Sequence, residues 1–223
     1  MKETLRQYFK ENLLFWAGMM LIILIMGLFL FENGQIETHF LLNSYHSPCM
    51  DVCMKVLTTL GSGLPCYVGI VVLIFWFRKG LFILLSQGVA MIITQPLKYT
   101  IARPRPLTLL GYENLPNVVD YAIPGGYNSF PSGHVAAIFA FMACLAALLP
   151  KKYKAWQLAI LVVAVAAAYS RIYLSCHFLE DTLVGAPIGA FSTAIAFMLL
   201  YYKEWGECPV YKLRIIHHDG SQS

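Results

Sequence analysis

The sequence predicts an all-α, polytopic membrane protein of six transmembrane helices, and three observations lead there. Hydrophobic residues make up 58% of the 223-residue chain and charged residues only 13%, about half the charged share of a typical soluble domain. Six apolar stretches recur along it. The basic residues fall mostly between those stretches, as membrane orientation requires.

The first stretch, 13–31, holds 19 residues without a charge, enough to cross about 30 Å of hydrocarbon. It follows Lys2, Arg6 and Lys10, but its length and the lack of a small-residue cleavage site favour a retained span over a signal peptide. The second, 57–77, ends at Arg78 and Lys79. The remaining four are 80–97, 133–149, 155–169 and 183–202. All must be helical, because backbone amides in lipid have no water to satisfy them. They are read as one domain over 1–223.

Threading six spans from a cytoplasmic N-terminus puts Lys2, Arg6, Lys10, Arg78, Lys79, Lys151, Lys152, Lys154, Lys203, Lys212 and Arg214 inside. Outside are Lys55, Lys98, Arg103, Arg105 and Arg171, so inside basics outnumber outside ones by more than two to one. Both termini are expected in the cytoplasm. Two long outer segments result. Residues 32–62 mix apolar residues with His39, His46 and Asp51, as a short interfacial amphipathic helix would. Residues 98–132 carry five prolines and Gly125-Gly126, and read as a loop of the lid or binding kind.

The net charge of +4 reflects this layout, and no basic stripe with interleaved aromatics suggests nucleic acid. The six cysteines (Cys49, Cys53, Cys66, Cys144, Cys176 and Cys208) show neither CxxC nor zinc-like spacing. His39 and His46, seven apart, are read as structural rather than as metal ligands, and His217 and His218 as solvated.

Three pieces carry chemistry. Lys98 and Arg105, seven apart, would share a helix face were Pro104 and Pro106 not to end the helix between them. In Pro131-Ser132-Gly133-His134, Ser132 is a good N-cap and Gly133 allows close backbone approach at the positive end of the following helix, a ready anion site. In the third, Ser170-Arg171 precedes His177 and Asp181, which are four apart and would meet on one face if a helix began there. Lys98, Arg105 and Arg171 then converge on an anion, with phosphoryl the economical choice. A carboxylate beside His177 fixes its tautomer and prepares its other nitrogen to attack, leaving His134 to protonate a leaving oxygen. Taken singly, each residue has a bland reading as a local ion pair, a snorkelling anchor or an ordinary cap. Those readings do not explain why all of them reach one membrane face.

The three pieces resemble the signature of the type 2 phosphatidic acid phosphatase family, K-x6-R-P, P-S-G-H and S-R-x5-H-x3-D, matched in order without substitution. The resemblance implies a metal-free, cofactor-free lipid phosphatase, and the charge layout puts its active site on the outer face, expected to be the periplasmic side of a bacterial inner membrane. His177 would be the phosphoryl-accepting nucleophile, Asp181 its orienter and His134 the general acid and then base. Lys98, Arg105, Ser132, Gly133 and Arg171 would bind the phosphate, and Arg103 receives no catalytic role. Expected partners are a lipid phosphate substrate and membrane lipids; the sequence says nothing of oligomeric state. Substrates consistent with the family are lipid A, undecaprenyl pyrophosphate, phosphatidylglycerol phosphate and phosphatidic acid, with the lean towards the first two. A phosphotransferase would use the same intermediate. Vanadate-dependent haloperoxidases resemble the family in site architecture, but they are largely soluble, and vanadate would activate them while inhibiting a phosphatase. The outer segments 32–62 and 107–130 are expected to set specificity.

Overall fold

The computed structural model describes residues 2–116, 119–121 and 123–201, and every described element is helical. Ten α-helices follow in order: α1 Lys2–Glu11, α2 Leu13–Asn33, α3 Gln35–Leu42, α4 Pro48–Thr58, α5 Leu64–Phe75, α6 Phe77–Ile101, α7 Pro106–Leu110, α8 Gly133–Leu148, α9 Gln157–Tyr173 and α10 Leu179–Tyr201. The expectations for Tyr202, Lys203, Cys208, Lys212, Arg214, His217 and His218 lie outside the described residues.

Four helical stretches are long and apolar enough to cross a membrane: those containing α2, α6, α9 and α10. The stretch predicted as one span over 57–77 is not one helix. A 3-10 turn at Thr59–Gly61 separates α4 from α5, and the two stretches are bent by 53°. Two glycines and Pro65, at the first turn of α5, explain the break. Counted as one bent span, the pair makes a fifth. The predicted span at 133–149 is α8, a shorter apolar helix of 16 residues, about 24 Å long at the ordinary rise.

The break between α5 and α6 falls at Trp76, and the two helices fold back on each other. Gly80 makes that turn possible, since a Cβ there would meet the backbone nitrogen of Leu73 at 2.2 Å. α1, absent from the sequence reading, lays Tyr8 against Phe197 of α10, with ring centroids 4.9 Å apart. The outer segment 32–62 forms two helices, α3 and α4, rather than one.

α8 is the centre, packed by α6, α9 and α10. A helix apolar on every face has to be buried, and ten of its residues from Val135 to Ala146 are. Small residues bring α10 against it. Added Cβ atoms would lie 2.7 Å from Ser132 O at Gly185 and 2.1 Å from Ala136 O at Gly189, so these backbones touch. α6 runs antiparallel to α8, with Gln87 Nε2 donating to Ala137 O at 3.1 Å and Cys144 Sγ to Ser86 Oγ at 3.1 Å. These contacts bring the C-terminal ends of α6 and α9 and the N-terminal ends of α8 and α10 to one end of the bundle.

Candidate active site

Each motif residue stands at one of those four helix ends. α6 stops at Ile101, where Ala102 adopts left-handed φ 48° and ψ 48° and its N–H caps Lys98 O. Arg105 follows as the N-cap of α7, with Pro106 opening that helix. The helix therefore ends between the two cations, as the prolines require. Asn128 joins them: Lys98 Nζ donates to its carbonyl at 2.8 Å and Arg105 Nε to its side-chain oxygen at 2.7 Å. Arg105 also donates to Cys176 O at 3.1 Å.

Ser132 caps α8, its Oγ accepting from Val135 N at 3.4 Å. Its own N–H donates to Asp181 O at 3.0 Å, a direct link between α8 and α10 made possible by the close packing at Gly185. Over Gly133 the protein leaves room: an added Cβ would meet only Lys98 Cε, at 3.5 Å.

His177 and Asp181 do meet, Nδ1 to Oδ2 at 3.3 Å, but not on one helix as expected. α10 begins at Leu179, and His177 precedes it in the turn that ends α9. That turn is a Schellman closure. Ser175 N donates to Ile172 O at 2.9 Å and Cys176 N to Arg171 O at 3.0 Å, with Ser175 left-handed at φ 49°. His177 N adds a second bond to Arg171 O at 3.1 Å, so the backbone of Arg171 carries the nucleophile candidate. Both His177 and Asp181 are buried.

Asp181 Oδ2 also accepts from Phe178 N at 3.0 Å and from Ser129 Oγ at 2.5 Å. Three donors thus converge on one carboxylate oxygen and fix its orientation. Burial, countered by Asp181 and reinforced by Arg105 and Arg171, pushes His177 down to about 4, so the imidazole is neutral. With Nδ1–H given to Asp181, the lone pair resides on Nε2.

Arg171, on the last turn of α9, is buried and donates to Thr58 Oγ1 at 2.6 Å and Tyr121 OH at 3.4 Å. Its Nε meets no acceptor among the described residues. Thr58 and Tyr121 come from the two outer segments expected to set specificity. Arg103 forms an ion pair with Glu180 and lies over the Phe130 ring, 4.8 Å from its centroid.

A cleft of about 430 Å³ opens between α5, α6 and α8. Lys98, Arg105, Asn128, Gly133, His134 and His177 line its outer end, while Gln87, Met91 and Ala137 line its depth. Five of the eight predicted site residues thus share one cavity; Ser132, Arg171 and Asp181 are not among its lining residues. His39 and His46 do not pair: His39 packs on Phe178, and His46 stacks on Tyr173 beside Asp51.

Sequence reasoning missed Asn128, Ser129 and Thr58, and placed Tyr121 in a segment expected to set specificity without its partner Arg171. The first two lie close before the Pro131–His134 motif, where Asn and Ser also read as ordinary loop residues. Thr58 and Tyr121 contact a residue 113 and 50 positions away and leave no local signal.

The family model described as "PAP2 superfamily" matches residues 79–205. The phosphatidylglycerophosphatase B of Bacillus subtilis is 30% identical over 148 residues, covering 64% of this chain and 71% of that protein. The lipid A 1-phosphatase of Rhizobium johnstonii is 32% identical over 104 residues, covering 45% of this chain and 41% of that one. A crystal structure of Aquifex aeolicus LpxE superimposes with TM-score 0.62 at 29% identity, covering 73% of this chain and 93% of the other.

Proposed function

Because the chain belongs to the PAP2 superfamily, we propose that this membrane phosphatase removes a phosphate from a lipid by way of a phosphohistidine on His177. The carrying observation is the setting of His177: Asp181 lies against its Nδ1, and its ring borders a cleft that Lys98, Arg105 and His134 also line. In the first step Nε2 attacks phosphorus while the bond to the lipid oxygen breaks. His134, which takes up a proton once the phosphate's negative charge lies among the cations, gives that oxygen its proton. Water then attacks the phosphohistidine, His134 takes a proton back, and inorganic phosphate leaves with His177 regenerated. Lys98, Arg105, Arg171, Ser132 and the free amides at Gly133 would hold the equatorial oxygens. No step calls for a metal or a cofactor.

We read the fold as six spans, with α8 the sixth: short, but enclosed by its neighbours. Basic residues at the Arg78–Lys79 and Lys151–Lys154 turns lie opposite the site and favour a site on the outer, periplasmic face of a bacterial inner membrane. The cleft runs from Lys98 to Gln87 along α6, a depth of about 16 Å at the helical rise. A cavity between helices suits a lipid that presents a slim chain beside its phosphate, such as a prenyl pyrophosphate. The names of the relatives keep phosphatidylglycerol phosphate and lipid A on the panel.

The test is phosphate release by detergent-purified protein from those three lipids and phosphatidic acid, with EDTA present and His177→Ala alongside. Release that survives EDTA and disappears in the variant supports the mechanism and ranks the substrates. Release abolished by EDTA overturns the metal-free reading. A phosphorylated alcohol in place of inorganic phosphate makes the enzyme a transferase.

A further inference from the structure

The turn that presents His177 is braced from a distant part of the chain. Its left-handed C′ position, ordinarily given to glycine because a Cβ is strained there, is occupied by Ser175 at φ 49°. The hydroxyl has a use: Ser175 Oγ stands 3.5 Å from His39 Nε2 on α3. The same imidazole packs its edge against Phe178, with centroids 5.1 Å apart and planes at 67°. His39 thus touches residues on both sides of His177. One helical turn on, Asn43 donates to Ile172 O at 3.1 Å, the carbonyl that also accepts Ser175 N in the Schellman closure.

We propose that His39 is a positioning residue for the nucleophile, its ring wedged between Ser175 and Phe178 to hold the strained turn in the geometry that aims His177. The inference rests on the phosphohistidine reading. His39 is fully buried and lines no part of the cleft, so it reaches the substrate only through the turn that carries His177. Burial drives it down to about 4 against the pull of Asp181, which keeps it neutral and adds no charge beside the phosphate-binding cations.

The experiment compares His39→Ala, His39→Phe, His39→Gln and Ser175→Ala for kcat, KM and inhibition by inorganic phosphate. His39→Ala and His39→Phe should lose about 10- to 100-fold in kcat, the scale of a misplacement approaching 1 Å. KM and phosphate inhibition should stay within about threefold, because Lys98, Arg105 and Arg171 keep their bonds to Asn128, Thr58 and Tyr121. His39→Gln should recover most of the rate, and Ser175→Ala should reproduce part of the loss. A fully active His39→Phe makes the ring a space-filler and overturns the proposal, as does a phosphate inhibition constant that moves in step with kcat. If His39→Ala fails to fold, a fully active Ser175→Ala overturns it instead. Wild-type release matched by His39→Ala sinks the brace and leaves the function standing. A silent wild type sinks both.

Discussion

Gly189→Ala should damage a site about 12 Å away along α10, reckoned at the helical rise. The new Cβ would lie 2.1 Å from Ala136 O and 2.8 Å from Ala140 N, where ordinary contact begins near 3.4 Å. All the nearest obstructing atoms are backbone of α8, so no rotamer change relieves the overlap and the two helices must part by on the order of 1 Å. At their outer ends they are tied by Ser132 N to Asp181 O at 3.0 Å. Stretched by that amount, the contact leaves hydrogen-bonding range. Asp181 then moves relative to Ser129 and to the α8 amides.

A displacement of this size costs about 100-fold in rate, roughly 2.7 kcal/mol of transition-state stabilisation. The assay is phosphate release under kcat/KM conditions, with thermal unfolding followed in the same detergent. Gly185→Ala, whose Cβ would meet Ser132 O at 2.7 Å, should lose about tenfold. Gly27→Ala, where nothing lies within 4 Å, should change neither rate nor stability appreciably. A folded Gly189→Ala protein with activity within about threefold of wild type would refute the claim that helix contact sets site geometry.

Further outcomes are expected. Asp181→Asn should cost about 10²- to 10⁴-fold in kcat by disrupting the His177 tautomer, and Ser129→Ala, which leaves two of three donors on Oδ2, about 10-fold; equal losses in the two would contradict the assigned roles. Gly133→Ala should fold normally, since the added methyl meets only Lys98 Cε at 3.5 Å, yet lose phosphate affinity by blocking the α8 amides; unchanged inhibition by inorganic phosphate would remove those amides from the site. The acid limb of kcat/KM should lie near 4 rather than near the ordinary histidine value, because protonation of His177 consumes its Nε2 lone pair. Stability carries the same sign. His39 and His177 bind protons more weakly folded than unfolded, so the unfolding temperature should be highest above about 6.5 and fall as pH drops through about 4.

Much of this site could be read from local chemistry. The cap at Ser132, the helix stop before Pro104 and the gathering of three motifs at one face each follow from residue type and spacing. Hydropathy was a poorer guide to backbone direction. It runs across Gly61-Ser62-Gly63 without registering the 53° bend, because a window sums side-chain character and ignores where the chain turns. The separation of His177 from α10 was hidden for a related reason. The Schellman closure puts serine where glycine would have announced a helix end. The contacts of Thr58, Tyr121 and His39 with the third motif join segments 50 to 136 residues apart, and no periodicity encodes a pair at that separation.

The proposed site has a reason to favour an anion in the bonding of its cations. Lys98, Arg105 and Arg171 donate to carbonyl, carboxamide and hydroxyl oxygens, all neutral. Among the described residues none of the three has a carboxylate in ion-pair contact. Asp181, whose charge reaches them at longer range, has one oxygen committed to Ser129, Phe178 and His177. Arg103, from the same segment but outside the motif, is the one that Glu180 neutralises. The pattern leaves positive charge oriented but unpaired in a poorly solvated place, where replacing neutral acceptors by phosphate oxygens makes stronger, charge-assisted bonds. Such preorganisation costs folding stability, since three cations are held close together. Here the tight packing of α8 against α6 and α10 offsets that cost, and so the same glycine contacts that hold the bundle also hold the charge.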